Sequence, residues 1–134
     1  MTKVEALAKF IGVNKDDIVV DEGVFNVNDE EYLVFDDDEA DEKAYEEIEQ
    51  SLWAFKAEFI LEMCGFNCDY KPLTIMQENA CEDCNEFIKA MIEGTCTLDT
   101  FVQSAIEADG RGHFIATYDG EENEQDDFYI YRIN

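Results

Sequence analysis

The chain has 134 residues, with 34 acidic side chains against 9 basic ones, a formal net charge of -25, and a composition that is 46% apolar and 13% aromatic. So many aromatic residues can fill the core of one domain, which excludes a disordered acidic tail, while the charge repels nucleic acid as a direct ligand. No stretch approaches the roughly 18 apolar residues of a membrane span and the N-terminus lacks a signal-peptide core, so a cytoplasmic protein is expected.

Val4, Ala6, Leu7, Phe10 and Ile11 are spaced for a short amphipathic helix ended by Gly12. Ile18 to Val20 read as a short strand, and residues 24–28 and 32–35 as a hairpin turning at 28–30. A long helix is predicted over residues 38–63, with Tyr45, Ile48, Leu52, Phe55 and Phe59 in one apolar stripe widened by Trp53 and Ile60, closed by Gly65. After Pro72 a second helix is predicted over residues 73–93, with a possible break at Asn79 and Gly94 as its stop. A third covers residues 98–108, with Thr97 as N-cap and Gly110 as terminator. Residues 114–118 and 128–133 then alternate like the strands of a terminal hairpin. The expectation is one α+β domain over residues 1–134, in which an antiparallel sheet made from the N- and C-terminal hairpins packs on three or four helices.

The acids are not spread evenly. Residues 36–49 hold nine of them, Asp36, Asp37, Asp38, Glu39, Asp41, Glu42, Glu46, Glu47 and Glu49, beside the single base Lys43. Like charges at i,i+4 on a helix destabilise it by a few tenths of a kcal/mol per pair, and the macrodipole offsets that only in the first turn. The block therefore reads as a surface for a basic partner. Residues 119–127 add Asp119, Glu121, Glu122, Glu124, Asp126 and Asp127, and residues 16–31 add seven more acids, both without a base. A compact chain of this length is about 36 Å across. Duplex DNA of that length carries about 21 charges, comparable with the charge of this chain.

Other chemistries find little footing. Cys64, Cys68, Cys81 and Cys84 have the outline of a four-thiolate zinc site, with Cys84 on an apolar helix face and carboxylates nearby that raise thiol pKa values. Buried, reduced thiols are the preferred reading, with no cofactor expected, and the alternative is a small non-catalytic regulatory or protein-interaction module, with or without zinc on these four cysteines. His113 is the only histidine and is read as a strand residue after Gly110 and Gly112, which make a tight link from helix to strand, with Arg111 expected to pair with one of the local carboxylates. The acidic loop after Tyr118 lacks the ligand order of an EF-hand, and there is neither a phosphate-cradling nor a dinucleotide-binding glycine motif. An enzyme is not expected.

The segments EYLVFDDDEADEKA followed by SLWAF, and DGRGHFIATYDGEENE, resemble those of short acidic proteins carried by bacteriophages, prophages and conjugative elements. The resemblance implies a mobile-element origin and carries over no catalytic residue. In size and charge the chain is similar to anti-restriction and anti-CRISPR proteins that mimic DNA. The implied partner is a host nucleic-acid-binding protein whose basic groove the fifteen acids of residues 36–49 and 119–127 would occupy in place of phosphates.

Overall fold

A computed structural model describes residues 1–134 and shows an α+β chain that divides into two compact units, Met1–Ala44 with Asp109–Asn134, and Tyr45–Ala108. The first unit holds the sheet. Its opening helix α1 (Lys3–Ile11) starts at a reciprocal capping box between Thr2 and Glu5 and stops at Gly12, whose φ of 74° suits a residue without a Cβ. Strands β1 (Val19–Asp21), β2 (Val24–Val27) and β3 (Glu30–Phe35) form a meander, and β4 (Asn123–Gln125) with β5 (Phe128–Arg132) forms a hairpin. The five are antiparallel in the order β1-β2-β3-β5-β4, so the N- and C-terminal segments make one sheet, as expected.

Three two-residue turns set the register. Glu22 and Gly23, Asn28 and Asp29, and Asp126 and Asp127 all have positive φ, the backbone form whose twist matches a hairpin. The acids in these turns therefore serve the backbone as well as the surface, since Asp and Asn tolerate the left-handed region. One face of the sheet packs under α1, where Leu7, Ala8, Phe25, Val27, Tyr32, Val34 and Ile130 form a buried cluster. Tyr131 points to the other face, where it is fully buried with its ring 6.0 Å from Phe35.

The expected strand at residues 114–118 is instead a short helix, α7 (Arg111–Ile115), and the partner of β5 is β4. β4 is polar along its length and sits at the sheet edge, where it needs only backbone pairing, so a search for apolar alternation passes it over. His113 is accordingly an exposed helical residue, its ring edge-on to Phe114.

The second unit is helical, and both long helices expected there are broken. α2 (Asp37–Gln50), which enters the unit at Tyr45, gives way to a 3-10 turn (Leu52–Ala54) before α3 (Ala57–Cys64). Two later side chains hold the break. Asn85 donates to the Glu49 carbonyl at 2.9 Å and accepts from the Trp53 amide at 3.0 Å, while Gln77 donates to the carbonyls of Trp53 and Phe55 at 3.0 and 2.7 Å. These side chains take backbone groups that a continuous helix would have paired with itself. The second break lies at Cys81, whose φ of 48° ends α4 (Lys71–Ala80) ahead of a 3-10 turn (Cys81–Cys84) and α5 (Asn85–Thr95). Gly94 lies within α5 rather than closing it. α6 (Leu98–Asp109) starts as expected, with Thr97 accepting from the Thr100 amide at 3.1 Å, and Gly110 follows its end.

Ile48, Leu52, Ile60, Ile88, Ile92 and Phe101 are fully buried in this unit. Trp53, Phe55 and Phe59 are half-buried, and the rings of Phe55 and Phe59 lie 5.2 and 5.3 Å from Phe101, edge-on. The expected stripe thus exists, carried by a turn and a second helix rather than by one rod. No helix is long and apolar enough to cross a membrane.

Candidate functional site

The acidic surface begins where β3 turns into α2. Asp36 is the N-cap: its carboxylate accepts from the Glu39 amide at 2.8 Å, and Glu39 accepts in return from the Asp36 amide at 3.0 Å. Lys3 reaches Glu39 at 2.8 Å. The lysine and the backbone of Asp36 together hold the Glu39 carboxyl below its ordinary range. Two acids of the block thus serve helix initiation, at the first turn where the macrodipole tolerates anions.

Arg111 organises the next part. Gly110, with φ 83°, turns the chain after α6 and launches α7 with Arg111 as its first residue. The guanidinium pairs with Asp37 at 2.9 Å, Asp41 at 3.0 Å and Glu122 at 2.8 Å, and its centre lies 4.7 Å from the Tyr129 ring centroid. Burial works against that charge, yet the hydrogen bonds to Glu122 and Asp37 outweigh it, so the pKa of Arg111 rises further. Tyr131 donates its hydroxyl to the same Glu122 oxygen, and burial followed by that bond pushes its pKa up. Only 11% of the Arg111 side chain is exposed, against 66% for Asp37 and 57% for Asp41. A covered cation therefore fixes carboxylates that still face solvent.

The fold also explains the glycine after Arg111. A Cβ on Gly112 would lie 2.7 Å from the Gly120 oxygen and 2.8 Å from the Glu122 nitrogen, so residues 120–122 pass directly over it. This close approach brings Glu122 of the second acidic cluster beside Asp37 and Asp41 of the first. The sequence carried a signal in the glycines bracketing Arg111, but it pointed to one ion pair rather than three.

The fifteen expected acids divide by partner. Asp37, Asp41 and Glu122 belong to Arg111, Glu39 to Lys3, Glu49 to Lys89 at 3.2 Å, and Asp126 to Lys9 at 3.2 Å. Glu47 is also engaged within the chain. Asp119 accepts from the Glu121 amide in a local turn. Asp38, Glu42 and Glu46 are exposed with no ion pair or hydrogen bond at their side chains, and they recur at four-residue steps on one face of α2. Glu121, Glu124 and Asp127 are exposed in and around β4. The presented charge is thus a subset of the one read from composition.

The four cysteines of the alternative zinc reading do not assemble. Cys64 and Cys84 are buried, Cys68 and Cys81 are exposed, and nowhere do three or more His, Cys, Asp or Glu side chains cluster in a way that holds a metal ion. Burial raises the thiol pKa of Cys64 and Cys84, which disfavours the thiolates a metal needs. Cys84 donates to the Cys81 carbonyl at 3.1 Å. No protein-family model, curated protein or solved structure matches the chain.

Proposed function

We propose that the protein is a non-catalytic anti-defence inhibitor of bacteriophage or mobile-element origin, of the anti-restriction or anti-CRISPR kind, that acts as a DNA mimic in the basic nucleic-acid-binding groove of a host protein. The observation that carries the reading is the Arg111 cluster, in which one covered guanidinium holds three carboxylates in place while two of them stay more than half exposed. A DNA mimic needs anions at fixed positions, because charges that must be ordered on binding lose affinity to entropy. The exposed row Asp38, Glu42 and Glu46 extends this surface along α2, and electrostatic attraction to a Lys/Arg-lined groove gives fast association.

The test is competition. Labelled duplex DNA is bound to restriction and CRISPR nucleases, and the protein is titrated in at 0.1 M salt and again at 1 M. Displacement near stoichiometry is expected at low salt, with loss at 1 M, where screening shortens to about 3 Å. Changing Asp38→Asn, Glu42→Gln and Glu46→Gln together should weaken displacement while folding survives, because no ion pair is broken and like-charge repulsion on α2 is relieved. A triple variant that competes as well as the parent protein would remove α2 from the reading, and failure to displace DNA from any groove would remove the reading itself.

A further inference from the structure

The helical unit carries a groove that the acidic surface does not use. Leu61 of α3, Pro72, Leu73 and Met76 of α4, and Phe87 and Met91 of α5 line a cleft of about 470 Å³, with Asp69 as its one charged lining residue. Phe87 is 59% exposed, a large cost for a side chain whose burial is worth about 1.5 to 3 kcal/mol. Two flexible thioethers in the lining let such a surface repack around an incoming side chain.

Charge decides what covers it. The unit has thirteen acids against three lysines. The helices that build the groove carry Glu58, Glu62, Glu78, Glu86 and Glu93 against Lys71 and Lys89, and Lys89 is already paired with Glu49. A second copy of this chain would bring a further charge of -25 to the contact, and an anionic bilayer would meet the same repulsion. An apolar face flanked by positive charge satisfies both the cleft, with Asp69 in its lining, and the net negative charge of the helices that build it. The ten residues of α4 span about 15 Å, enough to seat about three turns of a helix whose anchors recur at i, i+3 or i+4, and i+7. We infer that this groove is a docking site for a basic amphipathic helix of a partner protein, separate from the Arg111 cluster and independent of the proposed function.

The probe is a fluorescein-labelled peptide of about five helical turns with leucines on one face and lysines elsewhere, titrated with the full chain. Its controls are a scrambled peptide of equal composition and the same pattern with glutamate for lysine. Binding of the basic amphipathic peptide is expected, with both controls at least about tenfold weaker, and Phe87→Ser should lose about tenfold as a central anchor does. Methyl labelling of the four methionines gives a second readout: Met76 and Met91 should shift on binding while Met1 stays in place. Equal binding of the scrambled or the glutamate peptide, an unchanged affinity in Phe87→Ser, or unmoved Met76 and Met91 signals would overturn the site. The triple α2 variant should bind this peptide within about threefold of the parent protein, since none of the three acids lines the groove and they contribute only general attraction. Failure of the groove thus leaves the DNA-mimic reading standing, and the reverse holds.

Discussion

Replacing Arg111 by methionine keeps most of the side chain's bulk and removes its charge. Three losses follow. The pairs with Asp37 and Asp41 join a covered guanidinium to carboxylates that are more than half exposed, so solvent screening holds each to about 0 to 1 kcal/mol. Glu122 is only 32% exposed and also takes the Tyr131 hydroxyl, so stranding it falls toward the penalty for breaking a buried pair, about 3 kcal/mol at the low end. The contact with the Tyr129 ring adds about 0.5 to 1 kcal/mol. Not all of this is additive, and a total loss of about 3 to 4 kcal/mol is expected. A chain of 134 residues has a stability of about 7 to 20 kcal/mol, so the variant should remain folded. Urea denaturation measures the loss, with a midpoint lower by about 1.5 to 2 M for a slope of about 2 kcal/mol per M. The deficit should shrink at 1 M salt, where the repulsion among three uncompensated carboxylates is screened. A loss below about 1 kcal/mol at 0.1 M salt would refute the reasoning, because the three contacts would then be ordinary surface pairs.

The close approach at Gly112 gives a prediction of sign. Alanine is the better helix former by about 1 kcal/mol, yet Gly112→Ala should lower the melting temperature, because its Cβ meets backbone atoms of residues 120–122 and overpacking costs about 1 to 3 kcal/mol. A rise in melting temperature would show that segment to be free to move. In the helical unit, Phe101→Ala should cost about 3 to 5 kcal/mol in denaturant titrations and Phe55→Ala less, because Phe101 is fully buried and Phe55 only half so; the reverse order would displace the centre of that aromatic group. At alkaline pH, burial and then hydrogen bonds to Glu30 and Asp99 push Tyr32 and Tyr45 up to about 12 from an ordinary 10. A raised pKa means that the folded state holds its proton more tightly, so this stabilisation is complete below pH 10 and is lost as pH climbs toward 12. Absorbance at 295 nm followed together with circular dichroism should show these tyrosines ionising only as pH approaches 12, and their ionisation near pH 10 in a still-folded chain would contradict the raised values. At the acid end, the Glu39 carboxyl lies below its ordinary 4.5, so its contribution is present above that pH and lost as pH falls through the folded value. Glu39→Gln should accordingly be less stable than the parent protein at pH 7, with the difference closing in acid.

Periodicity and turn chemistry were legible without coordinates. The α+β class, the union of N- and C-terminal strands in one sheet, the Gly12 and Gly65 stops and the Thr97 cap all follow from local preferences that the surrounding fold does not oppose. The clustering of acids was legible too, since it is a property of composition. What each acid does was not. Asp36 and Glu39 start a helix, Asp37, Asp41 and Glu122 surround one arginine brought from far along the chain, and Asp38, Glu42 and Glu46 meet no partner at all.

Only the tertiary structure separates those roles, because an ion pair across more than seventy residues leaves no mark in the spacing of either partner. The broken helices have the same origin. Residues 38–63 read as one rod because the apolar stripe continues across the interruption. The interruption is stabilised by Gln77 and Asn85, which reach its backbone from later helices. Local sequence fixes what a segment prefers when its neighbours are absent, and long-range hydrogen bonds decide which preference is overruled.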